Sequence, residues 1–157
     1  MHSPVPASLE ACFQLLRAQA LLVRRFEVEF GDAHGLGLPD LQLLVELDRA
    51  PDGRLRRSEL AERMALTAAG VTRMLGPLER IGLVAREPNP PDPRAAWTAL
   101  TPAGRERVAE ALVTATEFAE GVFDDREHAR ELAGLGAELL RLADGHGVDA
   151  TAGVEAE

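Results

Sequence analysis

Residues 55–105 limit the fold of this 157-residue chain more than any other part of its sequence. Ser58 can cap a short helix, and Thr67 can cap a longer helix that begins directly after the turn at residues 65–67. Apolar residues recur at helical spacing in both helices: Leu60, Ala61 and Met64 in the first, and Val71, Met74, Leu75, Leu78 and Ile81 in the second. Two capped helices joined by so short a turn predict a helix-turn-helix.

The sequence after the second helix predicts a β-hairpin. Gly82 occupies the position of a helix-ending glycine, and residues 83–86 and 95–100 have the composition of two short strands. Four prolines stiffen the loop between them, residues 87–94, which ends in an arginine. Thr101 and the proline after it then begin another helix. This order of elements predicts a winged helix-turn-helix, and double-stranded DNA is the first ligand to consider.

The predicted DNA-reading surface lies opposite the apolar stripe of the second helix and continues into the hairpin. Small residues there allow close approach to a groove, and Arg73 can reach bases or phosphates. Asp92 is expected to orient Arg94 rather than to contact DNA. Taken singly, Arg56 and Arg57 are better explained as solvated surface charges than as DNA contacts. The candidate DNA-binding residues are Arg56, Arg57, Thr67, Ala68, Ala69, Gly70, Thr72, Arg73, Arg86, Asp92 and Arg94.

The distribution of charge favours the same segment. The formal net charge of −9 by itself argues against nucleic acid, because phosphate neutralisation drives most of the affinity. Residues 1–50 carry 4 arginines and 7 acidic residues (−3), residues 51–107 carry 10 and 7 (+3), and residues 108–157 carry 3 and 12 (−9). The predicted winged helix is therefore the basic part of the sequence. The chain has no lysine, which suits bidentate arginine contacts but is equally explained by genomic base composition.

Amphipathic helices are predicted on both sides of the winged helix, which covers about residues 38–105. Apolar residues at helical spacing predict helices over residues 8–31, ending at a break at 31–35, and over residues 105–143, divided near 123–127. A single winged helix does not need these helices for its own core. They are therefore expected to pair with a second copy of the chain.

The predicted fold is mainly α with a small β wing, a winged helix-turn-helix flanked by N- and C-terminal dimerisation helices. One domain is expected over residues 8–143, preceded by a flexible N-terminus at residues 1–7. Residues 144–157 are rich in glycine and acidic residues and predict a disordered acidic tail.

Residues 58–105 resemble the multiple antibiotic resistance regulator (MarR) family. The matching features stand in the family's order: SELAERM in the first helix, VTR in the second, the GLV strand, the wing Asp-x-Arg at residues 92–94 and LT-x-AGR at residues 100–105. Weaker similarity extends over residues 9–143. The resemblance implies a homodimeric transcription factor, commonly a repressor, that a small molecule or an oxidant releases from a pseudo-palindromic operator.

The chain departs from the family pattern in the second helix. Ala69 and Gly70 stand where relatives often have serine or threonine, so fewer hydroxyl contacts to bases and more shape readout are expected. Gly76 and Pro77 follow within the same helix. Because proline removes a hydrogen-bond donor and crowds the preceding turn, the sequence predicts a kink or a local break there.

Effector and redox sites have weaker support in the sequence. Phe13, Arg17 and Phe26 are candidates for an effector pocket, although packing explains them as well. Cys12 resembles the sensing cysteine of the family's organic hydroperoxide regulators, which makes thiol-based oxidant sensing an alternative function. Those sensors use tyrosines, which this chain lacks, so an inert buried thiol is expected. Trp97 is interpreted as a packing residue, with an effector pocket as the alternative.

Other functional classes find little support. The sequence lacks a phosphate-binding glycine loop, a nucleophile elbow and a paired-histidine motif, so an enzyme is not expected. Its histidines, including His34, have no metal-ligand spacing, and neither a metal nor a cofactor is expected. No apolar run is long enough to cross a bilayer, and a single cysteine fits a reducing cytoplasm. A winged helix that binds another protein is the remaining alternative.

Overall fold

The computed structural model describes residues 5–89, 96–123 and 126–145. The helices and strands over these residues are α1 (Ala7–Phe26), α2 (Asp32–His34), α3 (Leu38–Asp48), β1 (Arg54–Arg56), α4 (Arg57–Arg63), α5 (Ala68–Arg80), β2 (Val84–Glu87), β3 (Trp97–Leu100), α6 (Pro102–Val122) and α7 (Arg126–Gly145). A mainly helical fold with a small antiparallel sheet confirms the predicted fold class. The chain divides into two compact units, one ending at Phe118 and one beginning at Ala119.

The first helix continues through most of the break predicted at residues 31–35. A π-helical turn, Glu27–Gly31, joins α1 to α2, and Gly31 keeps helical dihedral angles. The helical run ends at Gly35, the last residue of the predicted break, whose φ of +64° is favourable only for glycine. Phe26 and Phe30 explain the continuation, because both are fully buried and their ring centroids lie 4.1 Å apart.

The helix-turn-helix is formed by α4 and α5. Thr67 caps α5 as predicted, with its hydroxyl oxygen accepting a hydrogen bond from the Gly70 N–H at 3.1 Å. The cap predicted for α4 at Ser58 is wrong, because the N-cap is Arg56, two residues earlier, and Ser58 lies inside the first turn. The carboxylate of Glu59 accepts a hydrogen bond from the Arg56 N–H at 2.7 Å, which satisfies a free donor of the first turn.

Helices α4 and α5 end in the same backbone arrangement. The residue after each C-cap has a positive φ: Ala65 at +51° and Gly82 at +76°. The following N–H bonds back to the helix in both cases, from Leu66 to the Ala61 carbonyl at 2.9 Å and from Leu83 to the Leu78 carbonyl at 3.0 Å. Both ends are therefore Schellman motifs, but only the second has the glycine that such a position favours.

The two Schellman motifs predict opposite effects of a Gly/Ala exchange. Ala65→Gly should raise the free energy of unfolding by about 1 kcal/mol, because it removes the steric cost of an alanine in the left-handed region. Gly82→Ala should lower it by a similar amount for the same reason. Urea denaturation of both variants checks this pair. Two changes of the same sign would contradict the backbone assignment.

Helix α5 continues without interruption through Pro77, so the alternative of a local break is wrong. Proline disfavours the helical conformation of the preceding residue mainly through a clash with that residue's Cβ. Gly76 has no Cβ and so relieves this clash. The remaining cost is the hydrogen bond that residue 77 does not donate to the carbonyl of Arg73.

The sheet has one strand more than the sequence predicted. Its order is β1-β3-β2, with both pairs antiparallel. The sequence pattern does not indicate β1, because this strand is only three residues long and buries only Leu55. β2 begins at Val84 and pairs it with Leu100, one residue later than predicted. The predicted start of β3 at Ala95 lies outside the described residues.

Helix α6 is held tightly against the start of β2. The hydroxyl of Thr101 donates to the Gly82 carbonyl at 2.7 Å and accepts from the Gly104 N–H at 2.9 Å, which confirms it as the N-cap. The Thr101 N–H bonds to the Leu83 carbonyl at 3.1 Å. A Cβ at Gly104 would collide with that carbonyl oxygen and with the side chain of Leu100. This contact places the last helix of the first unit against the sheet.

The core of the first unit collects apolar residues from α3, α4, α5, the sheet and α6. One predicted member of the apolar stripe of α5, Ile81, is 59% exposed, because α5 ends at Arg80 and residue 81 is already the C-cap. The fully buried side chains include Leu43, Leu44, Leu47, Leu60, Val71, Leu75, Leu78 and Val108.

Several apolar side chains of the flanking helices remain outside this core. On α1, Leu9, Phe13 and Leu16 are exposed. In the second unit α7 is amphipathic, and Leu132, Leu135, Leu140 and Leu142 are exposed along it. The division between α6 and α7 falls where predicted. Among the described residues, every helix is too short or too polar to cross a membrane.

Candidate nucleic-acid interface

Over residues 68–76, the exposed side of α5 is built from small residues and one arginine. Burial of Val71, Leu75 and Leu78 fixes the rotation of the helix. Over these residues the sector away from the buried side, about 140° wide, carries Ala68, Ala69, Thr72, Arg73 and Gly76. The first four of these are exposed, and Glu79 and Arg80 follow on the same side in the last turn. Four of the predicted contacts on α5 therefore share one side of the helix, whereas Gly70 lies about 60° outside this sector.

Arg73 and Arg86 have no ion-pair partner among the described residues, unlike Arg54, Arg57, Arg63 and Arg105 of the same winged helix. Both side chains are exposed. Arg57, another predicted DNA contact, lies 4.0 Å from Glu79 and braces the start of α4 against the end of α5. The first two thus remain available to an anionic ligand, whereas the charge of Arg57 is partly neutralised within the fold.

Arg56 lies against the indole ring of Trp97, which is half-buried on the central strand. Its guanidinium carbon is 5.1 Å from the ring centroid, and that of Arg54 is 5.3 Å away. Arg54 is further tied to Glu87 of β2 at 3.2 Å. Trp97 is therefore a packing residue, as interpreted, and it packs against cations rather than against the core.

Trp97 also borders a cleft of about 280 Å³ between the sheet and α4, whose other walls are formed by Pro51, Asp52, Arg54, Leu55, Glu59 and Arg63. A second cleft of about 440 Å³ runs along α5 and is lined by Asp40, Leu66, Gly70, Arg73, Met74 and Pro77. Asp40 and Leu66 were not among the predicted site residues. Nothing local in the sequence marks Asp40, because it lies on α3 and lines this cleft only through tertiary packing, whereas Leu66 belongs to the turn directly before α5.

The wing residues Asp92 and Arg94 lie outside the described residues, as does the predicted tail beyond residue 145. The strands that carry the wing are described and are joined by four register pairs from Val84↔Leu100 to Glu87↔Trp97. The root of the wing thus lies beside Arg86 on β2.

The candidate effector residues do not share one environment. Phe26 is fully buried and packs edge-on against Phe118, with ring centroids 5.2 Å apart. Phe13 and Arg17 lie one turn apart on the exposed part of α1, about half a turn around the helix from Phe26. Packing accounts for Phe26. Cys12 is exposed, so the expectation of a buried thiol is wrong.

His34 is more than the loop residue that its neighbouring glycine suggests. It ends α2, its Nε2 lies 3.0 Å from the hydroxyl oxygen of Thr114, and its ring stacks on Phe30 at 4.5 Å. Arg107 donates a hydrogen bond to the His34 carbonyl at 3.1 Å. His34 therefore joins the end of α2 to α6. The described residues contain no group of three or more His, Cys, Asp or Glu that is arranged to hold a metal ion.

Comparisons with known proteins agree with this geometry. Residues 34–95 match the MarR family model. The chain is 33% identical to the HTH-type transcriptional repressor MdtR of Bacillus subtilis over 112 residues, which cover 71% of this chain and 66% of MdtR. The chain covers 48% of the length of one curated relative and 66% of the length of MdtR.

Solved structures share the fold over most of the length of this chain. Sco5413, a MarR family transcriptional regulator from Streptomyces coelicolor, is 31% identical, with a TM-score of 0.72 over 88% of this chain and 95% of that one. Sco3205 from the same organism, solved in complex with DNA, is 24% identical, with a TM-score of 0.78 over 97% and 96% of the two chains.

The fold and the exposed cationic helix define a winged helix-turn-helix of the transcriptional-regulator class. The chain belongs to the MarR family.

Proposed function

We propose that this protein is a cytoplasmic, sequence-specific regulator of transcription that binds double-stranded DNA through α5 and the wing. The observation that carries the proposal is the placement of two exposed arginines, Arg73 on α5 and Arg86 on β2 of the wing, neither of which has an ion-pair partner among the described residues. Unpaired arginines on a helix-turn-helix suit phosphate and base contacts. A protein-binding winged helix would not require them to be free.

The active form in this proposal is a homodimer. The exposed apolar side chains of α1 support it, and separately so do those of α7, because a large exposed apolar patch marks an interaction surface. A two-fold axis would place two copies of α5 about 34 Å apart, which matches successive major grooves on one face of the duplex. The operator is then pseudo-palindromic.

Repression is the proposed mode of regulation, since the relative MdtR is described as a repressor. A small-molecule effector would release the DNA by binding one arrangement of the two α5 helices better than the other. Thiol sensing through Cys12 is the second candidate for release, favoured by the exposure of the residue. Cys12→Ser separates the two, because only a thiol sensor loses its response to peroxide.

The stoichiometry of the complex tests this proposal. The full chain is mixed with a duplex from the region upstream of its own gene, and the mass of the complex is measured by analytical ultracentrifugation at low salt. We expect two chains per duplex, with a scrambled duplex as a weaker competitor. A protein that stays monomeric and does not bind either duplex would contradict the proposal.

A further inference from the structure

The polar groups at the start of α5 are largely engaged within the helix itself. The hydroxyl oxygen of Thr67 accepts the Gly70 N–H at 3.1 Å, and the hydroxyl of Thr72 donates to the Ala68 carbonyl at 2.9 Å. Thr72 cannot donate the same hydrogen to a base. Its hydroxyl oxygen can still accept a hydrogen bond, and its γ-methyl group remains available for apolar contact.

Within residues 68–76, Arg73 is the one exposed side chain of this sector that retains all its donors. It has no carboxylate partner among the described residues, whereas Arg57, Arg63 and Arg54 pair with Glu79, Glu46 and Glu87. A free guanidinium can donate two parallel hydrogen bonds to N7 and O6 of guanine, which is the commonest specific contact in the major groove.

The other exposed groups of the sector are methyl groups. Ala68 and Ala69 each present one, and Thr72 presents its γ-methyl, while Gly76 leaves room one turn further on. Thymine is the base that offers a methyl group in the major groove. Burying a pair of methyl groups against each other removes apolar surface from water, which is favourable without any hydrogen bond.

We propose that each copy of α5 reads one guanine through Arg73 and neighbouring thymines through the methyl groups of Ala68, Ala69 and Thr72. This inference rests on the proposed function and adds the chemistry by which the site is chosen. The inference predicts that each half of the operator contains one guanine next to base pairs that include thymine. Base pairs outside this guanine–thymine segment should influence the affinity less.

Base analogues in a selected operator test the inference. Tight-binding duplexes are first selected from a random pool with the full-length protein. The guanine is then replaced by 7-deazaguanine, which lacks the N7 acceptor, and we expect a loss of affinity of about tenfold. Replacing each contacted thymine by uracil removes only the methyl group, and we expect a loss of about fourfold per methyl.

Matched variants assign each effect to its residue. The 7-deazaguanine penalty should vanish in Arg73→Ala and persist in Arg80→Ala, which removes an exposed arginine further along the same helix. In Ala69→Gly, the loss of affinity caused by replacing thymine with uracil should be smaller than in the wild type. Both duplexes are measured with the same variant, so any change in helix stability affects both affinities equally.

Two outcomes would overturn the inference, and only the second would also contradict the proposed function. If the wild-type protein binds the selected duplex tightly and neither analogue lowers its affinity, readout by base edges is wrong but DNA binding stands. If no duplex is enriched or bound at low salt, the proposed function fails as well.

Discussion

Gly104→Ala is expected to lower the free energy of unfolding by about 3 kcal/mol, the upper part of the range for overpacking a tight contact. The added Cβ would collide with the carbonyl oxygen of Leu83 and the side chain of Leu100. That same carbonyl accepts the Thr101 N–H at 3.1 Å. Moving α6 away would therefore also weaken the hydrogen bonds that fix its first turn to the sheet. Chemical denaturation followed by circular dichroism measures the change.

Gly121→Ala is the matched control, because it lies in the same helix and an added Cβ meets no atom within 4 Å. Alanine is the better helix former, so this variant should be more stable by about 0.5–1 kcal/mol. Equal destabilisation by the two substitutions would show that the contact with β2 is not what makes Gly104 necessary.

The double variant Arg73→Ala/Arg86→Ala is expected to bind the preferred duplex about 100-fold more weakly than the wild type. Each arginine is exposed and lacks an ion-pair partner among the described residues, so each can make charge-assisted hydrogen bonds worth about 1.5–3 kcal/mol. Because their charges are not tied into the fold, the free energy of unfolding should change little. Fluorescence anisotropy with a labelled duplex measures the affinity.

Arg49→Ala/Arg130→Ala removes the same amount of positive charge from exposed positions on or next to other helices. We expect its affinity to stay within about threefold of the wild type, because these arginines are not part of the proposed α5 and wing surface and surface charges away from the contact are screened at physiological ionic strength. Similar losses in the two double variants would mean that overall charge, and not the α5 and wing surface, accounts for binding.

The helix-turn-helix could be predicted from sequence because its determinants are local. The hydroxyl oxygen of Thr67 accepts a hydrogen bond from the Gly70 N–H. The spacing of the apolar residues in α5 indicates which side of the helix is buried. Gly82 ends the helix by its own conformational freedom. Such features depend on neighbours within a few positions and can be found in a single sequence.

Features that depend on distant contacts could not be predicted in the same way. β1 exists only because residues 54–56 pair with β3, more than forty positions later. The pairing of Arg57 with Glu79 and the exposure of Cys12 are likewise set by tertiary structure. The sequence around His34 does not indicate its contact with Thr114, because the two residues meet only where α2 and α6 pack together.

The salt dependence of duplex binding tests the central claim most directly. The affinity of the full-length protein for its preferred duplex is measured between low and physiological salt. We predict that log K falls linearly with log salt, with a slope of about −0.9 for each phosphate neutralised and at least about six phosphates per complex. The double variant Arg73→Ala/Arg86→Ala should give a shallower slope. Binding that is independent of salt, or absent at the lowest salt, would contradict the account.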